Sequence, residues 1–363
     1  MRIALVSDAW TPQVNGVVRT LTTTVAELRR QGHRVETITP DGFRTIPCPS
    51  YPEIRLAIAA GRGVRQRLEA FAPDAVHIAT EGPLGWAARR WCRAAGFPFT
   101  TSFHTRFADY LAVRTRLPAG LFWSSFRRFH ASADRVFVAT ASLESELRTR
   151  GLTRLHRWER GVDRTLFSPD GARLAELGDR GGPILLHVGR VAPEKNIEAF
   201  LQADLPGTKV VVGGGPALAS LRGRFRDALF LGALHGERLA AAYRSADVLV
   251  FPSRTDTFGL VMAEALASGT PVAAFPVPGP LDVVGEGAGV LDQDLGAAVR
   301  GALMLDRRQV AAFGRRFDWS RCTAQFVTGL RPIGSSVHGG ISMDSGQATG
   351  LADCPRLVSE LVA

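Results

Sequence analysis

Asp256 and Glu264 stand eight residues apart in the stretch LVFPSRTDTFGLVMAEALASGTPVAA, which runs from Leu249 to Ala274. A β-branched apolar run ends at Phe251-Pro252-Ser253, polar residues follow, and apolar residues then recur at helical spacing through Leu260, Val261, Ala263, Ala265 and Leu266. The pattern predicts strand, loop and helix, with Ser253, Thr255 and Asp256 as side chains able to cap the helix and Gly269 and Pro271 to stop it. A helix that opens at the end of a buried strand presents unpaired amides and a partial positive charge, which suits a phosphate or diphosphate. Asp256 would repel a bare anion placed there. A ligand with phosphates at one end and hydroxyls at the other fits better, and a sugar nucleotide is such a ligand. Glu264, about 12 Å further on if the span is helical, would reach the other hydroxyl-bearing end. On spacing alone, Asp256 as a simple cap and Glu264 as a solvated helix residue read equally well.

Two cations have a matching position. Gly189-Arg190 ends the strand read at Ile184 to Val188, and Glu194-Lys195-Asn196 opens the next helix. Arg190 and Lys195 on such a rim could neutralise a leaving diphosphate without a metal. No acidic D-x-D cluster sits on a strand end near these residues, so no metal or other cofactor is expected. In the first half, Asn15-Gly16 follows the first strand and reads as a turn, and Ser102-Phe103-His104-Thr105-Arg106-Phe107 follows another. A lone His in such a place is ordinarily structural. Neither G-x-G-x-x-G nor G-x-x-x-x-G-K-[ST] occurs, so dehydrogenase and P-loop readings lack their motifs.

These residues need strand ends to hold them. Arg2 to Asp8 reads as a buried strand, Val17 to Gln31 as a helix and Arg34 to Thr39 as the next strand, a β-α-β unit that favours a parallel sheet. Further strands are expected at Ala75 to Ala79, Phe99 to Phe103 and Arg135 to Ala139. A second α/β series follows, with strands at Ile184 to Val188, Lys209 to Val212, Leu229 to Leu231, Val248 to Phe251 and Val272 to Phe275. Ligands of such sheets bind outside the carboxyl ends of the strands.

The pattern from Ser253 to Leu260, followed by Glu264-Ala265 and Gly269-Thr270-Pro271-Val272, resembles the donor-site signature of retaining glycosyltransferases of family 4, with Asp256 where the family often has Glu. The resemblance covers Met1 to about Leu330. It implies an α/β fold of two Rossmann-like domains facing across a cleft, the B-type fold, with a C-terminal helix crossing back to the N-terminal domain. The domains would be 1–165 and 183–318, the helix 319–330, and 331–363 a poorly ordered tail with a short helix near Leu357 to Ala363. It also implies a donor diphosphate held by Arg190, Lys195 and the backbone of Gly189, Thr257, Phe258, Gly259 and Leu260, with Gly16 facing it. Asp256 would hold sugar hydroxyls, Glu264 the ribose, and His104 would lie near the reacting sugar. Where the family often has an acid between the glycines of Gly213-Gly214-Gly215, this chain has Gly214.

The 363 residues, 45% hydrophobic, are enough for two ordinary domains. The four cysteines show no metal or disulfide spacing, and no signal-like or membrane-spanning run appears, so a cytoplasmic location is expected. A net charge of +10 implies an acidic partner. Nucleic-acid motifs are missing, which leaves phosphorylated substrates and an anionic membrane face. Arg62, Arg65, Arg67, Arg127 and Arg128 are the basic residues that would meet such a surface. Phe122, Trp123, Phe126 and Phe129 lie in one helical segment, as core packing or as an interfacial anchor. The expected activity is transfer of a hexosyl group (mannosyl, glucosyl or glucuronosyl) from a nucleotide diphosphate sugar to a membrane lipid or glycolipid. A sugar-nucleotide epimerase of the same fold and a non-catalytic sugar-nucleotide or membrane-binding protein are the alternatives.

Overall fold

Apolar runs without alternation must be covered on both faces, and helices between parallel strands provide that cover. The protein, a computed structural model, is described over residues 1–13, 15–48, 51–104, 118–178 and 181–334. The first strands are β1 (Arg2–Val6), β2 (Arg34–Ile38), β3 (Thr45–Cys48), β4 (Tyr51–Ala57), β5 (Ala75–Ile78), β6 (Phe99–Phe103), β7 (Arg135–Val138) and β8 (Leu155–Arg157). One six-stranded sheet runs β2-β1-β5-β6-β7-β8, and β1, β2, β5 and β6 pair in parallel. Strands β3 and β4 form a separate antiparallel hairpin that periodicity had not announced.

The second sheet contains β9 (Ile184–Val188), β10 (Thr208–Val212), β11 (Leu229–Gly232), β12 (Val248–Phe251), β13 (Val272–Ala274) and β14 (Gly289–Leu291). Its order is β11-β10-β9-β12-β13-β14, all in parallel. Counted along the chain this is 3-2-1-4-5-6, the doubly wound arrangement whose order reverses between β9 and β12. Leu186, Val188, Leu249 and Phe251 enter one core with Tyr243 and Met262. Leu185, Val211, Val248 and Val250 enter another with Phe200 and Val299. This two-sided burial explains the unbroken apolar strands.

The chain divides into two compact units. One contains Met1–Ser102, Arg128–Val136 and the described residues from Leu330, and the other contains 103–104, 118–127 and Phe137–Gly329. The helix Trp319–Gly329 closes the second unit, with Phe326 5.5 Å from Phe137 and 4.9 Å from Trp158 between ring centroids. Beyond it the chain returns to the first unit, where the Ile333 amide donates to the Asp74 carbonyl at 2.8 Å. The short helix expected near Leu357 to Ala363 lies outside the described residues, as do Thr105, Arg106 and Phe107.

Burial decides between the two readings of the aromatic segment. The helix Ala119–Ala131 buries Phe122, Trp123 and Phe129. Trp123 stacks on Phe103 at 5.6 Å and Phe129 meets Trp86 edge-on at 5.1 Å. These rings are core, not a membrane anchor. Of the basic residues, Arg67 pairs with Glu36 at 2.6 Å and Arg65 with Glu69 at 2.8 Å.

Candidate active site

The carboxyl ends of β9 and β12 lie side by side at the point where the second sheet reverses order, and each delivers part of one cluster. After β9 come Gly189, Arg190 and a 3-10 turn, Pro193–Lys195. Asn196 fastens this turn to β12 by donating from Nδ2 to the Pro252 carbonyl at 3.1 Å. The loop after β12 carries Asp256, and Lys195 Nζ donates to Asp256 Oδ1 at 2.5 Å. Asp256 Oδ2 and Ser253 Oγ are buried and have no hydrogen-bond partner among the described residues. An acceptor so placed costs stability unless a ligand or solvent hydrogen completes it.

The helix behind this loop begins where the apolar spacing begins, later than the cap candidates imply. It spans Leu260–Ala267, and its cap is Gly259 at φ 79°, with no capping side chain. Ser253, Thr255 and Asp256 are therefore not caps, and the path from Asp256 to Glu264 is helical only from Leu260. A Cβ on Gly259 would stand 2.8 Å from Met262 Cε in a conformation L-residues rarely adopt, which is why glycine is needed here. Glu264 is not a solvated helix residue: it is 2% exposed and accepts from the Tyr243 hydroxyl at 2.9 Å. Behind the rim, Gly213 packs so closely that a Cβ would fall 1.8 Å from the Gly189 carbonyl oxygen. The glycine run thus supports the turn after β9.

His104 is brought to the loop after β12 in the same unit. Its carbonyl accepts from Thr257 Oγ1 at 2.8 Å, and its Nδ1 lies 3.2 Å from the Arg160 guanidinium. Guanidinium only donates, so Nδ1 accepts and the neutral ring carries its proton on Nε2. Arg160 itself is buried over the Trp158 ring at 4.3 Å, and burial lowers its pKa to about 10.

Gly16 belongs to the other unit. It is no turn: Asn15 caps the helix Gly16–Arg30, its Oδ1 accepting from the Val17 and Val18 amides at 3.0 Å each. In that unit the sheet order reverses between β1 and β5. Asp8, just past β1, accepts from the Leu84 amide at 2.9 Å and Thr80 Oγ1 at 3.0 Å, and burial raises its pKa to about 6. Nearby, His130 bridges Glu81 (3.0 Å) and Thr101 (2.9 Å).

Comparison with known proteins gives the family. Residues 14–166 match the Glycosyltransferase Family 4 profile, and residues 182–313 match that of Glycosyl transferases group 1. The GDP-mannose-dependent alpha-mannosyltransferase of Mycobacterium tuberculosis (strain CDC 1551 / Oshkosh) is 36% identical over 310 residues, covering 78% of this chain and 81% of that protein. The chain belongs to glycosyltransferase family 4. The alpha-monoglucosyldiacylglycerol synthase of Streptococcus pneumoniae (strain ATCC BAA-255 / R6) is 29% identical over 77% of this chain and 72% of its own. The solved sucrose-phosphate synthase from Thermosynechococcus elongatus shares the fold with a TM-score of 0.71 at 22% identity, covering 90% and 97% of the two chains.

As a family 4 member the chain is a nucleotide-sugar-dependent hexosyltransferase of the B-type fold, and the epimerase and non-catalytic alternatives find no support among these relatives. Among the described residues no helix is long and apolar enough to cross a membrane. Several buried polar groups, each within its own unit, gave no sequence signal of their own. Tyr243 follows an alanine run in the helix Gly236–Ser245, His187 lies inside an apolar strand, and Glu81 and His130 are 49 residues apart. Only the folded chain shows what they touch.

Proposed function

We propose that this enzyme moves a hexosyl group from a GDP- or UDP-sugar to a lipid or glycolipid acceptor at an anionic membrane face, with retention at the anomeric carbon. The observation that carries the reading is the Lys195–Asp256 contact at the switch point of the second sheet, in front of the Leu260–Ala267 helix. Arg190, Lys195 and the amides from Phe258 to Leu260 supply positive charge for the departing diphosphate, so no metal is required. Asp256 turns its unpartnered oxygen to sugar hydroxyls, Glu264 holds the ribose, and the neutral His104 ring donates to a sugar oxygen. Family membership supports same-face attack: the acceptor oxygen bonds to the anomeric carbon as the sugar–phosphate bond breaks, and the departing phosphate oxygen takes the acceptor's proton.

The pneumococcal relative, an alpha-monoglucosyldiacylglycerol synthase, supports a diacylglycerol-type acceptor. Exposed Arg62 and Arg127 supply charge for membrane docking, at about 1 kcal/mol per residue near an anionic surface. An open groove of about 450 Å³, lined by Arg90, Trp91 and the Arg65–Glu69 pair, offers further cationic and aromatic surface. Incubation with a panel of nucleotide sugars and total lipid extract, read by mass spectrometry, tests the reaction. The expected result is one new glycolipid dependent on one donor. Release of free sugar alone, or transfer only to a water-soluble acceptor, refutes the lipid assignment. Flotation with neutral and anionic vesicles across a salt series tests docking: salt-sensitive binding to anionic vesicles is expected, and binding indifferent to both refutes it.

A further inference from the structure

His187 lies in β9 two residues before Gly189 and is 1% exposed. Its Nδ1 is 3.2 Å from the Val250 carbonyl oxygen, which can only accept. Nδ1 therefore carries the proton and Nε2 presents a lone pair. That lone pair is buried and has no hydrogen-bond partner among the described residues. Gly189 shows where it faces, because a Cβ built on Gly189 would be 3.5 Å from Nε2. The charges of Lys195 and Asp256 both act on the ring, and burial holds it neutral, with a pKa lowered to about 4. The imidazole is thus a neutral acceptor beneath the rim that carries the ion pair.

The ion pair has unfinished bonding of its own, since Asp256 Oδ2 also lacks a partner. On the donor-site reading given above, on which this inference rests, Asp256 turns to the sugar and Lys195 to the diphosphate. Their 2.5 Å contact is then given up. An ammonium has three N–H groups, and a diphosphate oxygen does not occupy all of them. We propose that His187 is a positioning residue whose Nε2 accepts one Lys195 N–H when the pair parts, holding the ammonium over the end of β9. A neutral acceptor suits this task. A second carboxylate would cancel the charge the diphosphate needs, and an imidazolium would repel the lysine.

The imidazole nitrogens can be followed directly by ¹⁵N NMR of the full chain, with GDP and UDP as probes. His187 is expected to show the Nδ1-protonated tautomer at neutral pH. On addition of the nucleoside diphosphate that binds, its Nε2 resonance moves in the direction of a hydrogen-bonded nitrogen, and it does not move in Lys195→Met. Kinetics give a second readout. His187→Asn keeps an N–H for Val250 and loses the outer lone pair, whereas His187→Gln restores an acceptor further out. The Asn variant is expected to raise the donor KM about tenfold with the acceptor KM unchanged, and the Gln variant to recover most of that loss. An unmoved Nε2 resonance while calorimetry shows diphosphate binding overturns the proposal alone, as does a wild-type donor KM in His187→Asn. Failure of both nucleotides to bind overturns the donor-site reading and this inference with it.

Discussion

Replacing Lys195 with Met keeps the apolar stem and removes the charge that holds Asp256. The two side chains are 23% and 18% exposed, so the pair is largely out of water and its carboxylate already has one buried oxygen without a partner. Removing the lysine leaves both oxygens unpartnered, at a cost of about 1–3 kcal/mol in stability. On the proposed role of Lys195, the same change also removes a cation from the leaving diphosphate, for which about 2–4 kcal/mol of transition-state stabilisation is expected, or about 30- to 1000-fold in kcat/KM. The double variant Lys195→Met/Asp256→Asn separates the two effects. It removes the stranded charge as well, so melting temperature returns most of the way while kcat/KM stays low. Chemical denaturation and steady-state kinetics on the single and double variants give the cycle. Recovery of rate together with stability in the double variant would refute the reasoning, because it would make the pair structural.

Further outcomes follow from particular residues. Arg190→Ala is expected to cut turnover by a similar factor while shifting the melting temperature little, and full activity of the wild type in a chelator is expected; activity lost to chelator and restored by a divalent ion would refute metal independence. Gly213→Ala, whose Cβ would overlap the Gly189 carbonyl, is expected to destabilise the second unit by about 3 kcal/mol or more, while Gly214→Ala, with open space around it, stays within about 0.5 kcal/mol by thermal melting. Asp8 and His187 should drive opposite pH dependences: Asp8, raised from 3.8 to about 6, favours the fold below pH 3.8 and loses that contribution as pH rises to 6, whereas His187, lowered from 6.5 to about 4, costs stability as pH falls from 6.5 to 4. Each is worth about 3 kcal/mol, so denaturation of Asp8→Asn across this window should show stability rising with pH, and that of His187→Asn the reverse; parallel curves refute the assignment.

How much of this was legible beforehand depended on the range of the interaction. Strands such as Ile184–Val188 and Val248–Phe251 were readable because burial on both faces writes itself as an unbroken apolar run. The strand-end positions of Arg190, Lys195 and Asp256 followed from the same pattern, since residues just past such strands must lie on the rim. The start of the site helix did not follow. Ser253, Thr255 and Asp256 are good caps by composition, but φ 79° at Gly259 turns the backbone after them and leaves their side chains for other partners. The β3–β4 hairpin was similarly hidden, because Pro47 in β3 and Pro52 in β4 argue against strand by residue type. Long-range polar contacts were the least visible. Lys195 meets Asp256 across 61 residues, and nothing local in either stretch specifies the other. The doubly wound order specifies it instead: β9 and β12 are neighbours only because the sheet reverses there, and that reversal brings a cation-bearing turn against an acid-bearing loop. The chemistry of the site is therefore a property of strand order as much as of motif. An alteration that shifts β9 against β12, such as a bulky residue at Gly213, should abolish turnover while every named side chain remains in the sequence.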